Sequence, residues 1–156
     1  MRSVVQRVSR GSVEVGGRIV GEIGRGLVAL VGIEAGDQAG DRAWMADKLV
    51  HLRIFEDAAG KMNLSLVDLG AAGEKPGLLL VPNFTVAGDA RKGRRPSFDN
   101  AMRPEQSEAE FGRLVEEARA LAPTVDVRTG VFRAEMSVHL TNVGPVTIVL
   151  ESRRGE

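Results

Sequence analysis

Two uninterrupted apolar runs constrain the fold of this chain more than any other feature. Residues 26–33 (GLVALVGI) and 78–81 (LLLV) contain no charged or strongly polar side chain. A strand of this kind has no polar face to turn towards water, so both runs are predicted to be strands buried on both faces. The sequence therefore predicts a sheet with these two strands at its centre.

Both ends of the chain alternate apolar and polar residues, which is the pattern of half-buried antiparallel strands. Val4, Val8, Val13 and Val15 supply the apolar positions near the start, and Gly16-Gly17 suits a hairpin turn before the next strand. In the last third, the same pattern predicts three further strands near residues 125–127, 138–140 and 146–150.

Two amphipathic helices are predicted between the strands. Asp37 is expected to cap the first, whose apolar stripe faces the sheet and consists of Met45, Leu49 and Leu52, with Trp44 at its border. The second is predicted to open with a capping box formed by Ser107 and Glu110 and to stop at Pro123.

Residues 53–73 show no decisive pattern and are assigned short strand or loop. The predicted fold class is α/β: a single layered domain over residues 1–156, with mostly antiparallel strands in a β-sheet core and two main helices. The sheet is open or barrel-like, and we expect the helices to cover one of its surfaces.

Composition excludes several kinds of chemistry. The chain has no cysteine, which rules out disulfides, thiolate metal sites and a cysteine nucleophile. His51 and His139 lack the spacing of a zinc site and are expected to have packing or surface roles. There is neither a GxSxG elbow nor a phosphate-binding P-loop. We expect no metal and no cofactor.

The charge is balanced, with 21 basic and 21 acidic side chains, so any nucleic-acid contact must come from a local patch. The first residues lack the apolar core of ~7–15 residues that a secretory signal needs. No apolar run approaches the ~20 residues that span a bilayer. A soluble, cytoplasmic protein without membrane contact is expected.

The first unusual stretch follows the second buried strand. There Asn83, Phe84 and Thr85 present an amide, an aromatic ring and a hydroxyl in succession. A cationic loop follows, in which Asp89 is the only carboxylate beside Arg91, Lys92, Arg94 and Arg95. Such a loop suits contact with phosphate groups. The alternative is that Thr85 is an ordinary strand residue and the loop a solvated turn.

The second unusual stretch runs from Asn142 to Thr147 and places Gly144-Pro145 between two strand patterns. Proline cannot donate to a central sheet ladder, so Pro145 must lie at an edge, a bulge or a tight turn. A plain hairpin turn is the simplest alternative, and the residues themselves do not indicate a cis bond.

Together the two stretches resemble the motifs of the D-aminoacyl-tRNA deacylase family, a Ser-Gln-Phe-Thr segment and an Asn-x-Gly-Pro-x-Thr segment. The second motif is matched in full, and the first through Phe84 and Thr85. Residues 6–8, 92–98 and 129–136 also resemble the family. Three departures put substrate preference in doubt: Pro82 and Asn83 replace Ser and Gln, and Arg133 stands where a small residue is usual.

The resemblance implies a homodimeric hydrolase that cleaves the ester of D-aminoacyl-tRNA and of mischarged glycyl-tRNA. Catalysis would fall to Thr85, which orients the ester, and to backbone N–H groups around Phe84 and Thr85, which stabilise the oxyanion, with help from the 2′-hydroxyl of the terminal adenosine. Substrate binding would fall to Asn83, Phe132, Ala134, Met136, Gly144 and Pro145. For Phe132, Ala134 and Met136, plain core packing is the alternative.

The resemblance also implies composite active sites, in which a cis Gly144-Pro145 of one chain screens the substrate held beside Thr85 of the other and rejects the L enantiomer. The implied partners are aminoacyl-tRNA, held by the basic loop, and a second copy of the chain; no DNA partner is expected. Two other readings stay open: a module that binds RNA without cutting any ester, and a catalytically inactive RNA-binding homologue.

Overall fold

The two apolar runs form neighbouring parallel strands at the middle of a six-stranded sheet. A computed structural model describes residues 1–152 of the chain. Its strands are β1 (Arg2–Val15), β2 (Arg18–Ile23), β3 (Gly26–Gly32), β4 (Phe55–Glu56), β5 (Met62–Leu64), β6 (Gly77–Pro82), β7 (Asp126–Thr129) and β8 (Ser137–Glu151). Its helices are α1 (Ala39–His51), α2 (Leu66–Ala71) and α3 (Pro104–Leu121), with a 3-10 turn at Phe84–Ala87.

The long strand β1 organises the sheet. It pairs antiparallel with β2, β3 and β8, whereas β6 pairs parallel with β3 and with β7. The sheet curls until its outer strands β2 and β7 touch. Gly21 of β2 lies so close to Thr129 of β7 that a Cβ at Gly21 would be 2.5 Å from the Thr129 carbonyl oxygen. The predicted α/β class, the barrel-like sheet and the mostly antiparallel pairing are confirmed, and the parallel pairs among the described strands are β3–β6 and β6–β7.

The sheet has a core on each face, which explains why its central strands are apolar throughout. Alternate side chains of a strand point to opposite faces. Leu78 and Leu80 of β6 therefore pack with α1 and α3, while Leu79 and Val81 pack inside the curled sheet with Val28. Both helices lie on one surface of the sheet, as predicted.

The predicted turn after β1 agrees with the structure, whereas the caps of α1 and α3 differ from expectation. The Gly16-Gly17 hairpin is confirmed, with φ positive at both residues. The cap of α1 is Gln38 rather than Asp37, whose carboxylate instead accepts from the Met1 ammonium at 2.6 Å. The predicted capping box at Ser107 is wrong, because α3 begins earlier, at Pro104, whose missing N–H needs no cap.

A capping box does occur where no helix was predicted. Ser65 accepts from the amide of Asp68, and the Asp68 carboxylate accepts from the amide of Ser65 at 2.8 Å. These two bonds start α2 inside the segment assigned to strand or loop. The helix has only six residues, too few for an apolar period to show.

The last third contains two strands, β7 and β8, rather than three. Residues 138–140 and 146–150 belong to the single strand β8, which is interrupted by a bulge. In its pairing with β1, Thr147 lies opposite Gln6 and Asn142 opposite Val8. Between these two pairs the chain advances five residues in β8 but only two in β1. The extra residues of β8 form the bulge, and they include Gly144-Pro145. The hairpin alternative for this stretch is therefore wrong.

No helix within residues 1–152 is long and apolar enough to cross a membrane. The predicted single domain extends to residue 156, and its last four residues lie outside the described ones.

Candidate active site

A pocket of about 1080 Å³ opens beside the end of β6. Its walls come from the ends of β3 and β6, the start of α3 and the connection from β7 to β8. Five of the residues predicted for the site line it, namely Asn83, Phe84, Phe132, Ala134 and Met136. Ser107, predicted as a helix cap, is buried in the first turn of α3 and lines the same pocket.

Two aromatic rings form one side of the pocket. Phe84 and Phe98 meet edge to face with their centroids 5.2 Å apart, and Phe84 remains 59% exposed. The ring of Phe98 packs on Gly88, where a Cβ would lie 2.9 Å from the ring. An aromatic ring exposed at a pocket is a surface on which a planar base can stack.

Thr85 lies next to this pair, at the start of the 3-10 turn. Its hydroxyl donates to Oδ1 of Asn83 at 2.5 Å, and its backbone N–H donates to the same oxygen at 3.1 Å. With its proton engaged, Oγ1 of Thr85 offers its lone pairs to an incoming donor. The N–H of Thr85 is also engaged, so the prediction that it stabilises an oxyanion requires Asn83 to move first.

A tight turn carries the opposite side of the pocket. The N–H of Ala134 donates to the carbonyl oxygen of Val131 at 3.3 Å, and Arg133 between them has a φ of 64°. The Arg133 guanidinium donates to Glu105 at the start of α3, at 2.8 Å. The pKa of Glu105 is lowered, first by its own backbone N–H and then by this arginine.

Gly144-Pro145 is a cis peptide and is exposed to solvent. It does not line the pocket of its own chain. Its bulge is held by Asn142, whose side chain accepts from the amide of Val146 at 2.8 Å and donates to Thr147 at 3.0 Å. Gly144 has a φ of 131°, and an added Cβ would lie 3.0 Å from the Arg7 guanidinium.

Arg7 is a buried cation behind the bulge and was not assigned a role from the sequence. Its Nε donates to the carbonyl oxygen of Val143 at 3.0 Å, and its Nη1 donates to that of Ile54 at 2.8 Å. The strand pattern did not indicate this burial, because Val4 and Val8, rather than Arg7, mark the apolar positions near the start of β1.

The basic loop closes on itself through two backbone bonds between Asp89 and Ser97, each 2.8 Å long. Arg91 donates to Asp89 at 2.6 Å and holds the pKa of that carboxyl well below its usual value. In the part of the chain that the structure describes, Lys92, Arg94 and Arg95 form no ion pair and are exposed. Three of the four predicted phosphate contacts are therefore unpaired cations.

The two histidines have the surface roles expected of them. His51 ends α1 beside Asp47, and His139 lies on β8, 3.5 Å from Glu14. Among residues 1–152, no group of three His, Asp or Glu side chains is arranged to hold a metal ion.

Comparison with known proteins identifies the family. A family model described as D-Tyr-tRNA(Tyr) deacylase matches residues 4–151. The chain belongs to this deacylase family. The curated D-aminoacyl-tRNA deacylases of Thermoanaerobacter pseudethanolicus and Kosmotoga olearia are 53% and 52% identical to it, each match covering 99% of both chains.

Two solved structures share the deacylase fold of this chain. One, named c-Myc DNA Unwinding Element Binding Protein, has a TM-score of 0.88 at 39% identity and covers 97% of this chain and 98% of its own. The other is described as a probable eukaryotic D-amino acid tRNA deacylase and has a TM-score of 0.79 at 20% identity, covering 96% and 97%. The second similarity concerns the fold alone.

Within the deacylase framework, the first motif and residues 132–136 meet at one pocket, whereas the second motif lies elsewhere on the surface. Thr85 borders the pocket through its neighbours Asn83 and Phe84 without lining it.

Proposed function

We propose that this chain hydrolyses the ester bond of D-aminoacyl-tRNA, releasing the free amino acid and tRNA. One observation carries the proposal: in a member of the deacylase family, the residues of the first motif stand at the edge of a large pocket with an exposed aromatic ring. That ring offers a stacking surface for the terminal adenine. The reaction would take place in the cytoplasm.

The chemistry requires little from the side chains, because the ester of an aminoacyl-tRNA is already activated. The site needs to hold the ester, orient a water molecule and stabilise the developing oxyanion. We assign the oxyanion to the backbone N–H of Phe84. Oγ1 of Thr85 accepts a hydrogen bond from the substrate, since its own proton is held by Asn83. The 2′-hydroxyl of the adenosine assists as a proton carrier.

Gly144-Pro145 serves the active site of a second copy in this proposal. The peptide is exposed and does not line its own pocket, which leaves it available to a substrate held by another molecule. The free edge of β8 carries Val143 and Val149, which are 44% and 63% exposed. An exposed apolar strand edge of this kind is suited to association. Light scattering should therefore show a dimer, and a monomer at assay concentration would disprove the composite site.

Chirality gives the decisive test of the function. In this proposal the rigid Gly144-Pro145 backbone acts as a wedge that excludes the side chain of an L substrate. It has nothing to exclude when the substrate side chain is a hydrogen. D-aminoacyl-tRNA and glycyl-tRNA should be cut, and the L ester should be left largely intact. Initial rates on matched D, L and glycyl substrates at one salt concentration measure this. Equal rates on the D and L esters would exclude chiral editing.

The alternative is a catalytically inactive RNA-binding homologue, favoured because the described residues that line the pocket include no ionisable catalytic cluster. A single-turnover assay on charged tRNA separates it from the enzyme: the inactive homologue binds the tRNA without releasing amino acid. One of the solved relatives is named for binding a DNA element. A competing DNA oligonucleotide in the same assay tests our expectation that this chain has no DNA partner.

A further inference from the structure

Arg133 occupies a backbone position that ordinarily favours glycine. The turn from Val131 to Ala134 is closed by a backbone hydrogen bond of 3.3 Å, and Arg133 at its third position has a φ of 64°. A β-turn with positive φ at this position normally takes glycine or asparagine, since a longer side chain is strained there. Of the residues described, Arg133 is the only one other than glycine with a positive φ. An outlier of this kind points to a functional role.

The fold itself gives little reason for an arginine here. The partner of Arg133 is Glu105, and the two side chains are 54% and 77% exposed. An ion pair so open to water contributes little to stability because solvent screens it. Because the pair contributes so little, a phosphate group can replace Glu105 as the partner of Arg133 at small cost.

The position of Arg133 does suggest a role. Its turn leads directly into Ala134 and Met136, which line the pocket, and Arg133 itself lines the rim. Apolar and aromatic side chains make up most of the remaining wall, with Arg103 as the second cation. The one carboxylate of the lining, Asp99, already accepts from the hydroxyl of Ser97 at 2.8 Å.

We propose that Arg133 binds the phosphodiester group next to the terminal adenosine of the substrate, exchanging Glu105 for the phosphate. This inference rests on the proposed function, which places that adenosine in the pocket. The next group along a polynucleotide is then a phosphate, and it must lie at the rim. Arginine is suited to it because the planar guanidinium can donate two parallel hydrogen bonds to phosphate oxygens. Glu105 keeps the guanidinium turned towards the pocket rim until the substrate arrives.

Binding of adenosine 5′-monophosphate and of adenosine, followed by NMR titration, tests this without any turnover. In the wild-type protein the phosphate should strengthen binding. Arg133→Asn keeps a residue that tolerates positive φ and should weaken binding of the monophosphate about tenfold, the worth of one charge-assisted contact, while leaving adenosine unchanged. Glu105→Gln should strengthen binding of the monophosphate a few-fold, because the competing carboxylate is gone.

Arg128→Asn is the matched control. Arg128 is 57% exposed and pairs with Asp126 at 2.8 Å, but it lies outside the pocket lining. It should leave both affinities unchanged. If Arg133→Asn weakens binding of the monophosphate and of adenosine equally, the arginine only maintains the turn. If it weakens the binding of neither, Arg133 is a surface residue without a role in binding. Either result overturns the proposal, as would a lack of any phosphate preference in the wild type.

Kinetics separate this inference from the proposed function. On D-aminoacyl esters of the monophosphate, Arg133→Asn should raise KM about tenfold with kcat nearly unchanged, and Arg133→Lys should recover part of the loss. On the phosphate-free ester the variant should match the wild type. If the wild type cleaves both esters but the variant shows no difference between them, the phosphate contact is disproved and the deacylase survives. If the wild type cleaves neither these esters nor charged D-aminoacyl-tRNA, the deacylase fails while the binding experiment still decides the role of Arg133.

Discussion

At the scale of single residues, the site depends on one short hydrogen-bonded unit. Asn83 accepts from both the hydroxyl and the amide of Thr85, which fixes the direction in which the Thr85 oxygen can accept. Asn83 thereby fills the role of a cap for the 3-10 turn. The residue was predicted to bind substrate directly, and that remains a prediction, now restricted to its amide nitrogen.

Removing the hydroxyl of Thr85 should slow the reaction without unfolding the protein. Thr85→Val keeps the shape of the side chain but loses the accepting oxygen, so single-turnover deacylation should fall roughly 10–100-fold. The free energy of unfolding should change by less than about 0.5 kcal/mol, because the side chain is exposed. Thr85→Ser, which keeps the oxygen, is the control. Wild-type rates in Thr85→Val would leave the backbone alone as catalyst.

Sequence reasoning was informative about which residues matter and less so about what they contact. The family resemblance predicts Phe84, Phe132, Ala134 and Met136 as site residues, and all four line one pocket. The bonds of Asn83 and the buried site of Arg7 depend on where the backbone turns, which single residue types do not specify. Neither could have been read from the pattern.

At the scale of elements, the bulge in β8 is the feature on which the second motif depends. Arg7 reaches from β1 through the sheet edge and donates to the carbonyl oxygens of Val143 and Ile54. Those two contacts join the bulge to the strand behind it and to the segment after α1. The bulge is thus positioned by a cation that belongs to another element.

Arg7→Met should weaken both the fold and the discrimination between enantiomers. The substitution keeps much of the apolar stem but leaves two carbonyl groups without their donor, at a cost of about 2–3 kcal/mol in the free energy of unfolding. The ratio of D to L deacylation rates should fall more than the D rate itself, because the wedge loosens. Arg10→Met is the control on the same strand: Arg10 is exposed, and its 3.4 Å contact with Thr141 is weak. Urea unfolding and matched kinetics measure both effects, and an unaltered D to L ratio would remove the bulge from chiral selection.

The elements themselves were predicted unevenly, for physical reasons. The strands β1 and β2 follow from alternating apolar residues, β3 and β6 from uninterrupted apolar runs, and the helices α1 and α3 from apolar residues at helical spacing. Helix α2 was missed because six residues are too few to show a period, and β8 was divided in two because Pro145 normally ends a strand. The start of α3 was placed too late because Ser107 and Glu110 have the spacing of a capping box, although the helix begins at Pro104.

At the scale of the whole molecule, a neutral protein must bind a polyanion through the uneven placement of its charges. The loop that contains Lys92, Arg94 and Arg95 carries unpaired exposed cations within the described residues, while most other arginines are matched with carboxylates. Each of these three cations should then contribute separately to the affinity for RNA.

The affinity for tRNA should fall steeply with added salt, and Arg94→Ala with Arg95→Ala should flatten the slope of log K against log salt by roughly 1.5. The pair Arg113→Ala with Arg119→Ala removes the same charge from α3, where each arginine is bonded to a glutamate, and should leave the slope unchanged. Filter binding at several salt concentrations measures the slope. If both double variants behave alike, the basic loop does not contact the RNA.

The pairing of β1 with β8 also sets the order in which a newly made chain can fold. Arg2 lies opposite Glu151, so β1 leaves the ribosome long before the strand that completes its pairing has been synthesised. During that delay the long edge of β1 is without its partner, and an uncovered edge is a template for aggregation. A translation product that stops before β8 therefore lacks the bulge and one whole side of β1, and it should be cleared by proteases rather than persist as a partly active fragment.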